Sequence, residues 1–330
     1  MSTREINHLR GPVLRSVSRS FYLSLRVLPR RLRDPLSLAY LLARATDTIA
    51  DTPEPDVEIR AETLRDLAGA IQGTLPRETA DAVRKAFAPL QQNEAERSLI
   101  KALPAILGWL DLLEERDRLE VRTVLEKINR GQMLDLERFG PSTSTSIKAL
   151  ATAGDLDEYT YLVAGCVGEF WTRICFAHLA DFSERPEPEM LALGVQYGKG
   201  LQLINILRDA GSDLRQGRCY LPGEELHSFG LTPAELLRDP GRAEAIMQPW
   251  LGKAEAGVRA GIEYACAIRS GRVRFATALP ALIGRRTLTL LREAGGEALE
   301  RRVKVPRTEV RRMVLATAIS RASPRLLRCR

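Results

Sequence analysis

Two aspartate pairs share one spacing: Asp47 and Asp51 in AYLLARATDTIADT, and Asp209 and Asp213 in LQLINILRDAGSDLRQGR. Four residues along a helix is a rotation of about 40°, so each pair presents two carboxylates on one face, one turn apart. Like charges at that spacing destabilise an isolated helix by roughly 0.2–0.5 kcal/mol. Here the arrangement occurs twice, each time after a run apolar enough to be core. Oxygen-only ligands on two facing helices suit Mg²⁺, which takes one or two carboxylates per site and completes its shell with water and substrate phosphate. The alternative for either pair is a surface helix end whose carboxylates are bonded to arginines.

The neighbours of the pairs suit an anion. Arg44 lies three positions before Asp47, Arg208 immediately precedes Asp209, and Arg218 follows Asp213 after a short glycine-bearing loop. Near the start, Ser18-Arg19-Ser20-Phe21-Tyr22 offers hydroxyls and a guanidinium. Taken singly, each arginine reads as a surface or salt-bridge residue. Together with Mg²⁺ beside an apolar cavity they describe a site for a diphosphate carrying an apolar tail.

The elements that must position these groups read as helices. Leu36, Leu38, Ala39, Tyr40, Leu41, Leu42 and Ala43 precede Arg44, while Val195, Tyr197, Leu201, Leu203, Ile204, Ile206 and Leu207 precede Arg208. Both runs are apolar nearly all round, as in helices inside a bundle, where ionised carboxylates must be paired or metal-bound. Helical periodicity recurs over 57–69, 79–90, 94–111, 117–139, 156–179, 188–214, 233–238, 243–270, 273–294 and 307–322, and no stretch alternates convincingly with period two. Asp155 and Thr232 read as N-caps, the latter followed by Pro233 and Glu235. The expectation is one all-α domain spanning residues 1–330, a helical bundle around a central cavity.

Composition narrows the classes. The 330 residues are 45% hydrophobic and 28% charged, an ordinary globular balance. No apolar run approaches the ~20 residues of a membrane span, and the opening MSTREINHLR gives no expectation of a signal peptide. Net charge is +7, which admits nucleic acid, an anionic membrane surface or a phosphorylated substrate. Aromatics are only 5% and no base-stacking or groove-reading motif is present, so nucleic acid is not an expected partner. Cys166, Cys175, Cys219, Cys266 and Cys329 are scattered without a CxxC and read as free thiols in a reducing cytoplasm. His8, His178 and His227 are isolated, which argues against zinc.

These motifs resemble the squalene/phytoene synthase family, the head-to-head trans-prenyltransferases, and within it the bacterial squalene synthases most. The matching segments are Ser18-Arg-Ser-Phe21, Tyr40-Leu-Leu-Ala-Arg-Ala-Thr-Asp-Thr-Ile-Ala-Asp51, Gly131-Gln-Met-Leu-Asp-Leu-Glu-Arg-Phe139, Tyr159-Thr-Tyr-Leu-Val-Ala-Gly165 and Gln202 through Asp213 to Arg218 and Tyr220-Leu-Pro222, with Ala278-Leu-Pro-Ala281 a weaker one. One departure stands out: squalene synthases commonly read DTVED at the first motif, whereas this chain has Ala50 in place of the second acid.

The resemblance implies an all-α isoprenoid synthase fold and two molecules of farnesyl diphosphate condensed to presqualene diphosphate, then reduced by NADPH to squalene. By position, Asp47, Asp51, Asp209, Asp213 and Asn205 would hold Mg²⁺. Arg19, Ser20, Arg44, Arg208, Arg218, Gln202 and Asn205 would hold the diphosphates. Tyr40 and Tyr161 would join Arg44, Asp47 and Asp209 at the reaction centre, and Phe21, Leu134, Val163, Gly165 and Gly168 would shape the tail tunnels. Arg218, Arg269 and Arg272 are candidate contacts for the NADPH 2′-phosphate, each also readable as a surface cation. The family leaves presqualene diphosphate, hydroxysqualene, dehydrosqualene and phytoene as alternative products. A different class is a prenyl diphosphate-binding partner protein without turnover. The expected location is the cytoplasm, with the basic segment from Arg311 onward able to press on the inner face of a membrane. The sequence sets no oligomeric state.

Overall fold

The computed structural model describes residues 2–18, 21–140, 142–319 and 323–329. The chain divides into two compact units, Met1–Leu136 with Arg173–Ala180, and Glu137–Thr172 with Asp181–Arg330. Both are built from helices, in agreement with the all-α expectation.

In the first unit, the Arg30–Asp51 helix buries Leu32, Leu36, Leu38, Leu41, Leu42, Ala45 and Ile49. Residues that recur at 38, 41, 42, 45 and 49 mark the face that meets the core. The helix ends at Asp51 for a local reason. Thr52 precedes Pro53, whose ring disfavours the helical region for its neighbour, and Thr52 is extended with ψ 117°. The Gln91 side chain then donates to the Thr52 hydroxyl at 3.0 Å and fixes the turn. Arg60 also donates to the Ala50 carbonyl at 2.7 Å, satisfying an acceptor the helix leaves open.

The helix expected over 94–111 is two helices, Glu94–Lys101 and Leu103–Leu110. Pro104 sits in the first turn of the second, where its missing N–H does no harm, but it could not continue the first.

In the second unit, the Glu187–Arg215 helix lies against the Pro240–Ala267 helix, and their backbones meet at glycine. A Cβ on Gly200 would fall 2.6 Å from the Gly257 Cα, and one on Gly168 would fall 2.0 Å from the Gly194 carbonyl oxygen. The small residue at 168, expected to shape a tunnel or let helices approach, serves packing. The helix expected over 156–179 contains a wider turn: Ala153–Thr160 is α, Tyr161–Gly165 is π, and Cys166–His178 is α again. Side-chain periodicity registers poorly a single inserted residue of this kind.

Two short strands accompany the helices of the all-α fold. Lys148–Leu150 pairs in parallel with Arg218–Pro222, with a register irregularity between Ala149 and Leu150. Strands of three and five residues, paired across a long stretch of sequence, are too brief for a period-two pattern to emerge. Gly217, at φ 86°, supplies the left-handed turn between the long helix and the second strand. One correction concerns capping. Thr152, not Asp155, is the N-cap; Asp155 is the third helical residue and accepts from the Thr152 N–H at 2.8 Å. Thr232 caps as expected, with Glu235 accepting its N–H at 2.7 Å.

Cys166, Cys175, Cys219 and Cys266 are buried free thiols. Burial pushes the Cys219 thiol up to about 12, so it stays protonated. Among the described residues no helix is long and apolar enough to cross a membrane.

Candidate functional site

Each aspartate pair occupies the last turns of its helix, Asp51 being the final residue of Arg30–Asp51 and Asp213 lying two residues before the end of Glu187–Arg215. The negative end of a helix opposes a carboxylate there by about 0.3–1 kcal/mol, on top of the repulsion within the pair. Acids so placed are poor for folding and good for a cation.

In the first unit, Asp47 accepts from the Arg44 guanidinium, whose other arm donates to Glu96 at 2.5 Å. Burial, reinforced by Asp51 and opposed by Arg44, pushes the Asp47 carboxyl up to about 7, with Asp135 adding to the push. Because 42% of the side chain remains open, solvent screening trims that shift without reversing it. A cleft of about 250 Å³ borders Asp51 but not Asp47, lined by Arg44, Thr48, Asp51, Gln91, Asn93 and Glu96 among others. Tyr40, one helical turn before Arg44, donates its hydroxyl to the Val17 carbonyl at 3.1 Å and holds its ring 5.3 Å from Phe21. Leu134 and Asp135 are half-buried on the Glu115–Phe139 helix.

In the second unit, Arg208 forks onto Asp209 at 3.2 and 2.5 Å, and Arg302 reaches the same carboxylate at 3.0 Å. Gln202, Asn205, Asp209 and Asp213 follow one another at three and four residues, so they share a helix face. The Asn205 amide points to Gln202 at 3.4 Å. Tyr161 opens the π turn and donates to Glu169 at 3.2 Å; Val163 and Gly165 complete the same turn. A Cβ on Gly165 would lie 3.0 Å from the Tyr161 ring, so glycine lets the tyrosine fold back over the backbone.

The three candidate NADPH arginines are not together. Arg218 follows the C-terminal end of Glu187–Arg215, donating to Gln216 at 2.7 Å. Arg269 lies at the other end, its N–H bonded to the Phe182 carbonyl and its side chain 3.0 Å from Asp181. A helix of that length separates them by roughly 40 Å. Arg272 is exposed at the start of the Gly271–Ala294 helix, near Arg269 in sequence. Arg19 and Ser20 lie outside the described residues.

Glu96, Asp135, Glu169 and Arg302 were not singled out in sequence. Asp135 and Glu169 stand in or beside the matched segments and had a signal there; Glu96 and Arg302 come from unremarkable charged stretches and had none.

Among the described residues no group of three or more His, Cys, Asp or Glu side chains is placed to hold a metal. The donor set nevertheless fits Mg²⁺. Two carboxylates per motif, oxygen only, leave coordination positions for water and phosphate, and a cation would oppose both the burial and the Asp51 repulsion that raise Asp47.

An all-α protein with duplicated acidic pairs and arginines beside them is the class the fold and these residues define. The chain belongs to the squalene/phytoene synthase family, whose model matches residues 14–309. It is similar to the bifunctional lycopene cyclase/phytoene synthase of Blakeslea trispora, 30% identical over 78% of this chain and 42% of that one. It is also similar to the squalene synthase of Yarrowia lipolytica, 28% identical over 67% of this chain and 46% of that one. The chain thus spans less than half the length of either relative. In fold it is similar to TcSQS, solved in complex with a ligand, with a TM-score of 0.76 at 20% identity over 95% of this chain and 86% of that one.

Proposed function

We propose that the protein joins two farnesyl diphosphates through a cyclopropyl intermediate, presqualene diphosphate, and reduces this with NADPH to squalene. The observation that carries the reading is the recurrence, at two helix ends, of an aspartate pair four residues apart in a chain whose residues 14–309 match the squalene/phytoene synthase family. Mg²⁺, held by Asp47 and Asp51 and by Asp209, Asp213 and Asn205, would supply positive charge against the departing diphosphate. Arg44 and Arg208 would turn from their carboxylates to phosphate oxygens, assisted by Arg218, Arg19, Ser20 and Gln202. The arginines thereby keep the carboxylates neutralised while no ligand is bound.

Allylic cations are quenched by water, so the chain must also exclude it. Phe21, Leu134, Val163 and Gly165 would form apolar wall. Tyr40, whose hydroxyl is fixed by donation to the Val17 carbonyl at 3.1 Å, would line the reaction centre where a proton is lost on ring closure. The Tyr161 hydroxyl, bonded to Glu169, has a carboxylate to pass a proton to. NADPH would use either Arg218, or Arg269 with Arg272, but not all three. The expected location is the cytoplasm. A peripheral membrane contact is supported by exposed Leu315 and Ile319 on the same helix as exposed Arg311 and Arg312.

The second reading is a phytoene synthase taking geranylgeranyl diphosphate, favoured by the likeness to the Blakeslea trispora protein. The deciding experiment incubates purified protein with Mg²⁺ and farnesyl diphosphate, with and without NADPH, and reads the lipid extract by mass spectrometry. Squalene formed only with NADPH supports the proposal. Presqualene diphosphate, hydroxysqualene or dehydrosqualene would overturn the reductive half and keep the condensation. Turnover of geranylgeranyl diphosphate alone would give the second reading, and no turnover of either would leave a prenyl diphosphate-binding protein.

A further inference from the structure

The first unit contains another concentration of guanidinium groups, which the proposed reaction does not use. A cavity of about 190 Å³ opens among the N-terminal helices, lined by Asn7, Arg10, Tyr22, Arg26, Arg33 and Ser37 with small and apolar neighbours. Three of its nine lining residues are arginines and none is acidic. Asp34 neutralises Arg10 at 2.7 Å from outside the lining. Arg33 donates to a neutral partner, the Leu28 carbonyl, at 2.9 Å. Arg26 is exposed and has no ion-pair partner among the described residues. One carboxylate against three guanidiniums leaves a surplus of two positive charges around a small, half-enclosed space.

The walls are also under-bonded. Arg10 Nε, Arg33 Nε and Ser37 Oγ are buried and make no hydrogen bond, and Ser37 is wholly buried. Interiors leave few such groups, and a cluster of them needs a physical reason. Asp34 and the Trp109 ring, 5.8 Å from the Arg10 guanidinium, offset part of the repulsion among these like charges, and an anion in the cavity would offset the rest. Guanidinium is the group that grips phosphate with two parallel hydrogen bonds. The space equals about six waters at ~30 Å³ each, enough for one or two phosphate groups and too small for a long prenyl chain.

We infer that this cavity is a metal-independent binding site for a phosphate or diphosphate group. It uses no residue assigned above to the aspartate pairs. Two sources share the chemistry: a free inorganic anion, and the phosphate of a lipid headgroup reached from the half-open side.

The test is calorimetric titration of pyrophosphate into the full chain in EDTA, where Mg²⁺-assisted binding at the aspartates is absent. Wild type and Asp47→Asn should bind alike. Arg26→Gln should weaken binding about tenfold, and the Arg26→Gln/Arg33→Gln double variant about a hundredfold. Arg26 is exposed, so its variant should melt with wild type and exclude a folding defect. In a parallel arm, sedimentation with phosphatidylglycerol vesicles compares the same variants. Vesicle binding with the same arginine dependence, and none of pyrophosphate, keeps the phosphate chemistry and assigns the headgroup as its source. Absence of both, or equal weakening by Asp47→Asn and Arg26→Gln, overturns the inference.

Discussion

A carboxylate at the C-terminal turn of a helix, next to another carboxylate, is destabilising twice over. Asp47 illustrates this, and replacing it separates folding from chemistry. Asp47→Asn removes a charge that burial and Asp51 both disfavour while Arg44 keeps Glu96. The thermal midpoint should hold or rise. Turnover of farnesyl diphosphate should fall by about 10²–10³, the scale of losing one preorganised electrostatic group. A lower midpoint with turnover intact would make the pair structural. Arg302 gives the complementary case. It holds Asp209 from a strongly exposed position and touches no other assigned group, so Arg302→Ala should raise KM for the diphosphate about tenfold and leave kcat within about twofold. Loss confined to kcat would contradict that role. At this scale the sequence was most legible for spacing: both pairs, Arg44 and Arg208 stand as their intervals suggest. Partners distant in sequence, Glu96 and Arg302, were invisible because nothing local marks which charge folds back on which.

At the scale of elements, contact between backbones decides stability. Alanine for glycine in an exposed helix normally stabilises by roughly 0.5–1 kcal/mol. At Gly200 the new methyl meets the Gly257 Cα at 2.6 Å, so Gly200→Ala should instead destabilise by about 1–3 kcal/mol in a urea melt. A neutral result would mean that the two helices slide apart easily. The Thr152 cap offers a test with a pH signature. The backbone N–H and hydroxyl of Thr152 hold the Asp155 carboxyl below its usual range, with Arg138 at 2.9 Å adding to this. A depressed carboxylate contributes stability above its unfolded value, near pH 4, and loses it as pH falls through the folded value. Thr152→Ala should therefore cost about 1 kcal/mol at neutral pH and progressively less in acid; a pH-independent loss would refute the cap. The helices themselves were legible wherever apolar residues recur at three and four. The π turn at Tyr161–Gly165, the split at Pro104 and the two strands were not, because each depends on backbone bonding that side-chain order hardly records.

At the scale of the whole molecule, the question is what the surplus of seven positive charges and the duplicated acids accomplish together. Net charge left phosphate and membrane open; the family match narrows that choice in a way net charge could not. The described residues include no cluster of three metal-ligating side chains, and Asp47 and Asp209 are both engaged by arginine. Mg²⁺ alone must therefore displace a guanidinium while gaining only two carboxylates, and diphosphate alone must approach those carboxylates. On the proposed reading each ligand would remove the obstacle to the other: phosphate would draw Arg44 and Arg208 away, and Mg²⁺ would neutralise the acids they leave. Binding should be strongly synergistic. Ligand at about 100 times its Kd stabilises by ~2.7 kcal/mol, which for a chain of this size raises the thermal midpoint by about 4 °C. Mg²⁺ alone should move the midpoint by less than about 1 °C, and a non-hydrolysable farnesyl diphosphate analogue in EDTA by no more than pyrophosphate in EDTA does, whereas the pair should add the full amount. In Asp51→Asn/Asp213→Asn protein the joint shift should vanish. Equal shifts from Mg²⁺ alone and from the pair would reveal a preformed metal cage and refute the exchange of arginine for metal.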